Sequence, residues 1–207
     1  MKDDEEPIKI ILLNTGTGVG ITQLINVFDG NNFEADSETT TNAYHIQGEF
    51  KYANKSYKYE LWDSGGGQDK YRSLKDIYIK FSKILVIVYS IDDRQSFDDI
   101  DYWINKVKTL KENQKDDEYI LALVANKWDL YKENSDDYRK PQVSEEEGEN
   151  ASKKYKIVFF RASAKKDAKS FKDFINELII NYIEKKDPFI ILVEQKIFKK
   201  LNKYDDF

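Results

Sequence analysis

Residues 15–22 read Thr-Gly-Thr-Gly-Val-Gly-Ile-Thr and are separated by Asn14 alone from the short, mostly apolar run Ile8 to Leu13. That run is rich in β-branched residues, which favours a strand buried on both faces. After the glycines, apolar residues recur at helical spacings of three and four, at Ile21, Leu24, Ile25 and Phe28. A glycine-rich turn between a strand and a helix lets several backbone N–H groups point at one anion beside the positive end of the helix dipole. The stretch therefore predicts a phosphate-binding loop.

This loop departs from the usual pattern of Gly, four residues and Gly-Lys-Ser/Thr, in which the lysine reaches the outer phosphates and the hydroxyl binds magnesium. Thr15 stands where the first glycine is expected and Ile21 where the lysine is expected, whereas Gly20 and Thr22 fit. On this segment alone, a ligand-free structural turn is an equally good interpretation. The remainder of the chain has to decide between the two.

Composition narrows the class of protein. The 207 residues suit one domain, and the net charge of −5 argues against nucleic acid as the main ligand. The absence of cysteine excludes disulfides, thiol catalysis and a cysteine-linked lipid anchor. No apolar leader or membrane-length apolar run occurs, so we expect a cytoplasmic protein, and we expect a monomer. The predicted organisation is an acidic leader over 1–7, one domain over 8–185 and a tail over 186–207.

Strand and helix patterns alternate along the predicted domain. Alternating apolar residues over 44–52 and 57–61 predict a β-hairpin, and apolar runs at 84–89, 119–125 and 157–160 predict buried parallel strands. Helical patterns separate these runs, and Ser144 with Glu147 forms a capping-box pattern. We therefore predict an α/β fold with a six-stranded, mostly parallel sheet that has one antiparallel strand and about five flanking helices. In such a sheet the ligand lies at the carboxyl ends of the strands.

Polar residues follow three of the predicted strands. Asn126-Lys-Trp-Asp129 follows one strand, Ser163-Ala-Lys165 follows the last, and Asp63 ends the second hairpin strand. The Asp129 carboxylate is suited to accept hydrogen bonds from the N1–H and the exocyclic amine of guanine, which adenine does not offer. The Ala164 N–H is suited to the guanine carbonyl oxygen. Asp63 is suited to hold magnesium through water.

This order and spacing of motifs resembles the Ras superfamily of small GTPases, and the Rab family most closely, over roughly residues 8–184. The segments that carry the resemblance are Trp62–Ser64, Tyr71–Leu74, Val86–Asp92 with Ser96 and Phe97, Asn126–Asp129 and Ala162–Lys165. The resemblance implies a P-loop small G domain that binds GTP or GDP with Mg²⁺ and acts as a molecular switch, in Rab proteins for vesicle trafficking.

The resemblance also implies roles for particular residues. Nucleotide contacts fall on Gly16, Gly18, Val19, Gly20, Ile21, Thr22, Phe33, Asn126, Lys127, Asp129, Ser163, Ala164 and Lys165. Magnesium ligands fall on Thr22, Thr40 and Asp63, although a slip of one residue substitutes Thr39 or Thr41 for Thr40. Gly66 and Gln68 fall at the catalytic positions. Effector or regulator proteins are expected near Thr40 and at Gln68–Leu74. For Phe33 the alternative is an ordinary loop aromatic packed on the helix.

Three departures from the family pattern bear on activity. Gly65, Gly66 and Gly67 occupy a space meant for two residues and so displace Gln68, and Thr17 crowds the position of an incoming arginine finger. Ile21 removes a positive charge from the phosphates, which costs about 2–5 kcal/mol of binding free energy. We expect weakened nucleotide affinity with slow or absent hydrolysis. The alternatives are a pseudoGTPase that serves as a nucleotide-independent interaction scaffold and an ordinary competent GTPase.

The predicted tail carries a smaller signal. Val193, Ile197 and Leu201 recur at a spacing of four among lysines, which predicts a short amphipathic helix. Its apolar side suits packing on its own domain, a groove in a partner or a membrane surface, and the sequence leaves these three open.

Overall fold

A computed structural model describes residues 6–34, 44–64, 72–112, 119–131 and 140–184. These residues form a six-stranded sheet with the spatial order β2-β3-β1-β4-β5-β6. The strands are β1 (Ile8–Asn14), β2 (Tyr44–Tyr52), β3 (Lys55–Asp63), β4 (Ile84–Ser90), β5 (Ile120–Asn126) and β6 (Val158–Arg161). Within the described ranges β2 pairs antiparallel with β3, and the other pairs are parallel. The predicted fold class is confirmed.

Helices flank both faces of this sheet. They are α1 (Ile21–Phe28), α2 (Arg72–Phe81), α3 (Arg94–Asp98), α4 (Ile100–Lys111), α5 (Glu145–Tyr155) and α6 (Ala168–Ile183). The capping box predicted at the start of α5 is confirmed, because the Ser144 side chain accepts from the Glu147 N–H and the Glu147 carboxylate accepts from the Ser144 N–H. The sequence pattern did not single out α2.

The core consists of two apolar layers, one on each face of the sheet. Strands β4 and β5 are buried along their whole length, as expected for parallel strands covered on both sides. Along β1, Ile10 and Leu12 belong to the layer that includes α1 and α6, whereas Ile11 and Leu13 belong to the layer that includes α4. This alternation fixes the register of β1 and the point at which the glycine-rich loop leaves the sheet.

The β2–β3 hairpin forms one edge of the sheet. Its two-residue turn is Ala53-Asn54, with positive φ angles of 48° and 63°, the conformation that a tight hairpin turn requires. His45 is exposed on β2, and its ring stacks on Trp62 with ring centroids 4.1 Å apart. Trp62 stacks in turn on Tyr78 of α2 at 4.9 Å. The hairpin is therefore tied to α2 by three consecutive rings.

Among the helices in the described ranges, none is long and apolar enough to cross a membrane. The acidic leader, apart from Glu6 and Pro7, and the predicted amphipathic tail over 186–207 lie outside the described residues.

Candidate functional site

The glycine-rich loop joins β1 to α1 in a conformation that depends on two of its glycines. Gly18 and Gly20 have φ angles of 73° and 89°, in the left-handed region that favours glycine. Gly20 is the N-cap of α1, and the first turn of this helix has neither a side-chain cap nor an acidic residue. The start of α1 therefore presents backbone N–H donors and the positive end of its dipole, the features that bind a phosphate.

Thr15, in place of the first glycine, is accommodated within the fold. Its side chain is buried and its Oγ1 donates a 2.9 Å hydrogen bond to the Val88 carbonyl of β4. Next to it, the Gly16 N–H donates to the Asn14 side-chain oxygen at 2.6 Å, and the Asn14 N–H donates to the Ser64 hydroxyl at 3.1 Å. The loop is thus fixed at its base by side chains, among them Asn14 and Ser64, whose contacts no sequence motif indicated.

Ile21 is the first residue of α1 and its side chain is 4% exposed. It belongs to the apolar layer that α1 and α6 form against the sheet, together with the buried Val19. The side chain that replaces the lysine therefore stabilises the core. Because this side chain is apolar and lies in the core, it supplies no positive charge at the loop.

A hydroxyl and a carboxylate meet next to this loop. Thr22 Oγ1 donates a 2.7 Å hydrogen bond to Asp63 Oδ2, which joins α1 to the end of β3, and Asp63 is buried. Oxygen atoms of these two types are the ligands that Mg²⁺ takes in nucleotide sites, so the pair fits the metal that the resemblance implies. The other predicted ligand, Thr40, lies outside the described residues.

The predicted base-reading residues lie together at the ends of β5 and β6. Ser163 Oγ donates a 2.6 Å hydrogen bond to Asp129 Oδ1 and accepts one from the Lys166 N–H at 3.1 Å. The Trp128 N–H donates to the Ala162 carbonyl at 2.9 Å, which ties the two loops together through their backbones. A carboxylate whose orientation is fixed in this way fits the paired donors on the edge of guanine.

One amide connects the base-reading residues to the phosphate loop. Asn126, the last residue of β5, is buried, and its Nδ2 donates a 2.8 Å hydrogen bond to the Val19 carbonyl. This contact is close: a Cβ atom on Gly20 would lie 2.6 Å from Asn126 Nδ2. The Asn126 Oδ1 atom is buried without a partner among the described residues. Asn126 thus sets the distance between the two halves of the site.

Lys127 follows with a positive φ of 63°, and its Nζ lies 3.1 Å from both carboxylate oxygens of Asp92. The Asp92 carboxylate also accepts a hydrogen bond from the Ser90 hydroxyl. Asp92 was not among the residues with a role predicted from the sequence. Its position two residues after β4, at the same sheet edge as Asn126, is the signal that marks it.

The remaining predicted residues are less closely associated with this cluster. Phe33 is half-buried against the apolar layer of α1 and α6, and its assignment to the base edge stays a prediction. The chain is held there by a 2.9 Å hydrogen bond from the Glu34 N–H to Gln23 Oε1 on α1. Lys165 is exposed beside the buried Ala164. Gly66 and Gln68 lie outside the described residues.

Comparison with known proteins agrees with this arrangement. Residues 9–184 match the model of the Ras family. One relative is the Ras-related protein Rab-11B of Dictyostelium discoideum, which is 34% identical over 156 residues. The match covers 75% of this chain and 65% of that protein, so the chain spans just under two thirds of the length of its relative. The chain therefore belongs to the Ras family, and its α/β fold is that of a small G domain.

Proposed function

We propose that this protein is a Rab-like guanine-nucleotide switch that binds GTP and GDP with Mg²⁺, with weakened affinity and slow hydrolysis. The observation that carries the proposal is the Asn126–Val19 hydrogen bond of 2.8 Å. This bond connects the base-reading residues, in which Asp129 and Ser163 are hydrogen-bonded to each other, to the glycine-rich loop. The helix that follows the loop has no side-chain cap at its N-terminus. A chain that had lost nucleotide binding would have no physical need for this register between the two halves.

Weakened affinity follows from the charges around the loop. Ile21 supplies no cation because its side chain lies in the core. The loop also has an anion close by, since a Cβ atom on Gly16 would lie 3.1 Å from Asp93 Oδ2. Loss of the lysine contact costs about 2–5 kcal/mol, or roughly 30- to several thousand-fold in affinity. In this proposal Mg²⁺ would bind at Thr22 and Asp63. The metal would then supply the main positive charge that neutralises the phosphates.

Slow hydrolysis rests on the sequence around the terminal phosphate. The extra glycine before Gln68 moves the residue that would orient water, and Thr17 is exposed on the loop where an arginine finger would approach. Residues near Thr40 and over 68–74 would contact effector or regulator proteins in a nucleotide-dependent way. From the Rab resemblance, we place these partners in vesicle trafficking and the protein in the cytoplasm.

Calorimetry with GDP and a GTP analogue in magnesium tests the proposal. We expect dissociation constants below millimolar, weaker after chelation of Mg²⁺. Asp129→Asn exchanges an acceptor for a donor, so it should lower affinity for guanine nucleotides and raise it for xanthine nucleotides, whose ring carries a carbonyl in place of the amine. Asp173→Asn, on the exposed side of α6, is the matched control and should change neither. Failure of the wild-type protein to bind either nucleotide below millimolar concentration would overturn the proposal.

A second function, the nucleotide-independent scaffold, is favoured by the burial of Ile21. The residue packs as core without any ligand, so the fold does not require a phosphate for its stability. A scaffold predicts equal partner binding with and without nucleotide. A pull-down in GDP, in a GTP analogue and after nucleotide removal separates the two functions, because the switch predicts a preference among these three states.

A further inference from the structure

A four-residue turn after β4 contacts both the base-reading residues and the segment that precedes α5. We call residues 91–94 the bridging turn. On its inner side the Ile91 N–H donates to the Asn126 carbonyl at 3.2 Å, and the Asp92 carboxylate holds Lys127. On its outer side, the backbone of the turn accepts hydrogen bonds from Gln142 and donates one to it. The turn is therefore a physical connection between the nucleotide site and a surface segment.

The contact between Asp92 and Lys127 restricts the lysine. The Asp92 side chain is 6% exposed and the Lys127 side chain is 26% exposed, so both charged groups are largely desolvated. A largely buried carboxylate needs its partners, because removal of one partner leaves an uncompensated charge. The conformation of the Lys127 side chain therefore depends on where the bridging turn holds Asp92.

Gln142 holds the bridging turn from outside. Its Nε2 donates to the Asp92 carbonyl at 2.7 Å, its Oε1 accepts from the Arg94 N–H at 3.2 Å, and its own N–H donates to the Ile91 carbonyl at 2.7 Å. One amide side chain thus bonds to a donor and an acceptor two residues apart. Arg94 is further anchored to the first turn of α5 by its 2.5 Å contact with Glu147.

We propose that Gln142 is a positioning residue of the nucleotide site, which acts through the bridging turn on Asp92 and Lys127. This inference rests on the proposed function for the role of Lys127 beside the base. Gln142 itself is exposed, so this connection runs from the protein surface to the base-reading residues. Its side chain buries no apolar surface that the core needs, which separates a positioning role from a general structural one.

The test compares Gln142→Ala with Gln95→Ala. Gln95 is an exposed glutamine on α3 that directly follows the bridging turn, and its Nε2 donates a 2.8 Å hydrogen bond to Asp99 rather than to residues 91–94. Affinity for a fluorescent GDP analogue in magnesium should fall about 3- to 10-fold in Gln142→Ala and stay unchanged in Gln95→Ala. Midpoints of denaturant unfolding should agree for both variants and the wild type, since exposed side chains contribute little to stability.

Hydrogen exchange of the nucleotide-free proteins gives a readout that does not depend on the proposed function. We expect Gln142→Ala to speed amide exchange at residues 91–94 and at residues 126–129, and Gln95→Ala to leave 126–129 unchanged. Faster exchange at 91–94 without any change at 126–129 overturns the proposal, and so does an equal effect of both variants. If the wild-type protein binds no GDP, the proposed function fails while the exchange result still decides whether Gln142 positions the base-reading residues.

Discussion

The Thr22 hydroxyl at the start of α1 donates a 2.7 Å hydrogen bond to the Asp63 carboxylate at the end of β3, although 41 residues separate the two in sequence. A buried carboxylate is costly unless it is hydrogen-bonded or bound to a metal, and here the hydroxyl satisfies it. Hydroxyl and carboxylate oxygens are also ligands that a hard cation takes. The two side chains that we propose as Mg²⁺ ligands are therefore already in contact in the fold.

Thr22→Ala should reduce the effect of magnesium on nucleotide binding. The substitution removes the hydroxyl that would bind the metal, and we expect the Mg²⁺-dependent part of GDP affinity to fall at least about 10-fold. Thr22→Ser keeps the hydroxyl and serves as the control, with a magnesium dependence close to that of the wild type. Titration of GDP affinity against Mg²⁺ concentration measures both. An unchanged magnesium dependence in Thr22→Ala would place the metal elsewhere.

Stability against acid should depend on Glu147. The Arg94 guanidinium and the Ser144 N–H at the start of α5 lower the pKa of Glu147 to about 2 from its ordinary value of 4.5. Because the folded pKa lies below the unfolded one, the stabilisation is complete above about pH 4.5 and is lost as the pH falls towards 2. The Glu147 side chain is 40% exposed and screened by solvent, so the contribution is below about 1 kcal/mol.

Denaturant unfolding of Glu147→Gln at pH 6 and pH 2.5 measures this contribution. The variant should be less stable than the wild type at pH 6, and the difference should shrink at pH 2.5. Glu146→Gln, an exposed neighbour in the same helical turn, is the control and should show a smaller difference at pH 6. A difference between wild type and Glu147→Gln that stays constant across this range would contradict the pKa assignment.

Tyr89 and Gly148 form a notch between β4 and α5. Tyr89 is fully buried, burial raises the pKa of its hydroxyl above the ordinary value, and that hydroxyl has no hydrogen-bond partner among the described residues. A Cβ atom on Gly148 would lie 2.5 Å from the Tyr89 hydroxyl and 2.7 Å from the Phe159 ring. Glycine is therefore required at residue 148 because the tyrosine hydroxyl occupies the space of a side chain.

From this packing we predict that substitutions of Tyr89 and Gly148 have non-additive effects on the free energy of unfolding. Tyr89→Phe removes an unpaired buried hydroxyl and should leave stability unchanged or raise it by up to about 1 kcal/mol. Gly148→Ala should lower stability by about 1–3 kcal/mol, because the clash outweighs the better helix propensity of alanine. The double variant should recover part of that loss, as the hydroxyl is gone and the contact with Phe159 remains. Additive free energies of unfolding would show that α5 moves away instead.

The positions of Asp63, Asn126 and Ser163 were predictable from the sequence because each lies at or just after the carboxyl end of a strand. The carboxyl ends of parallel strands meet at one edge of a sheet, so strand assignment alone brings these residues together. The α5 capping box was predictable for a similar reason, since its hydrogen bonds join Ser144 and Glu147, three residues apart. Local patterns therefore suffice where the physical cause is local or follows from topology.

Helix α2 was harder to predict because its apolar residues do not mark its buried face. Ile77 and Phe81 are exposed, whereas Lys75 and Ile79 are buried on the opposite side. The inward direction of Thr15 towards Val88 and the contact of Gln142 with the bridging turn depend on strands and loops distant in sequence. No periodicity or spacing within one segment contains that information.

Ile21→Lys is the substitution that separates fold stability from phosphate binding. The lysine side chain has to leave the apolar layer that isoleucine now fills, so the nucleotide-free variant should lose about 1–3 kcal/mol of stability. Its ammonium group then lies at the start of α1, where it can pair with phosphates, and GDP affinity should rise at least about 10-fold. Ile21→Met, apolar and of similar volume, is the control and should change neither stability nor affinity by much. Calorimetry and unfolding with and without GDP measure both quantities. A variant that loses stability and gains no affinity would mean that residues other than Ile21 limit phosphate binding. Asp93, whose carboxylate lies beside Gly16, would then be the first residue to substitute.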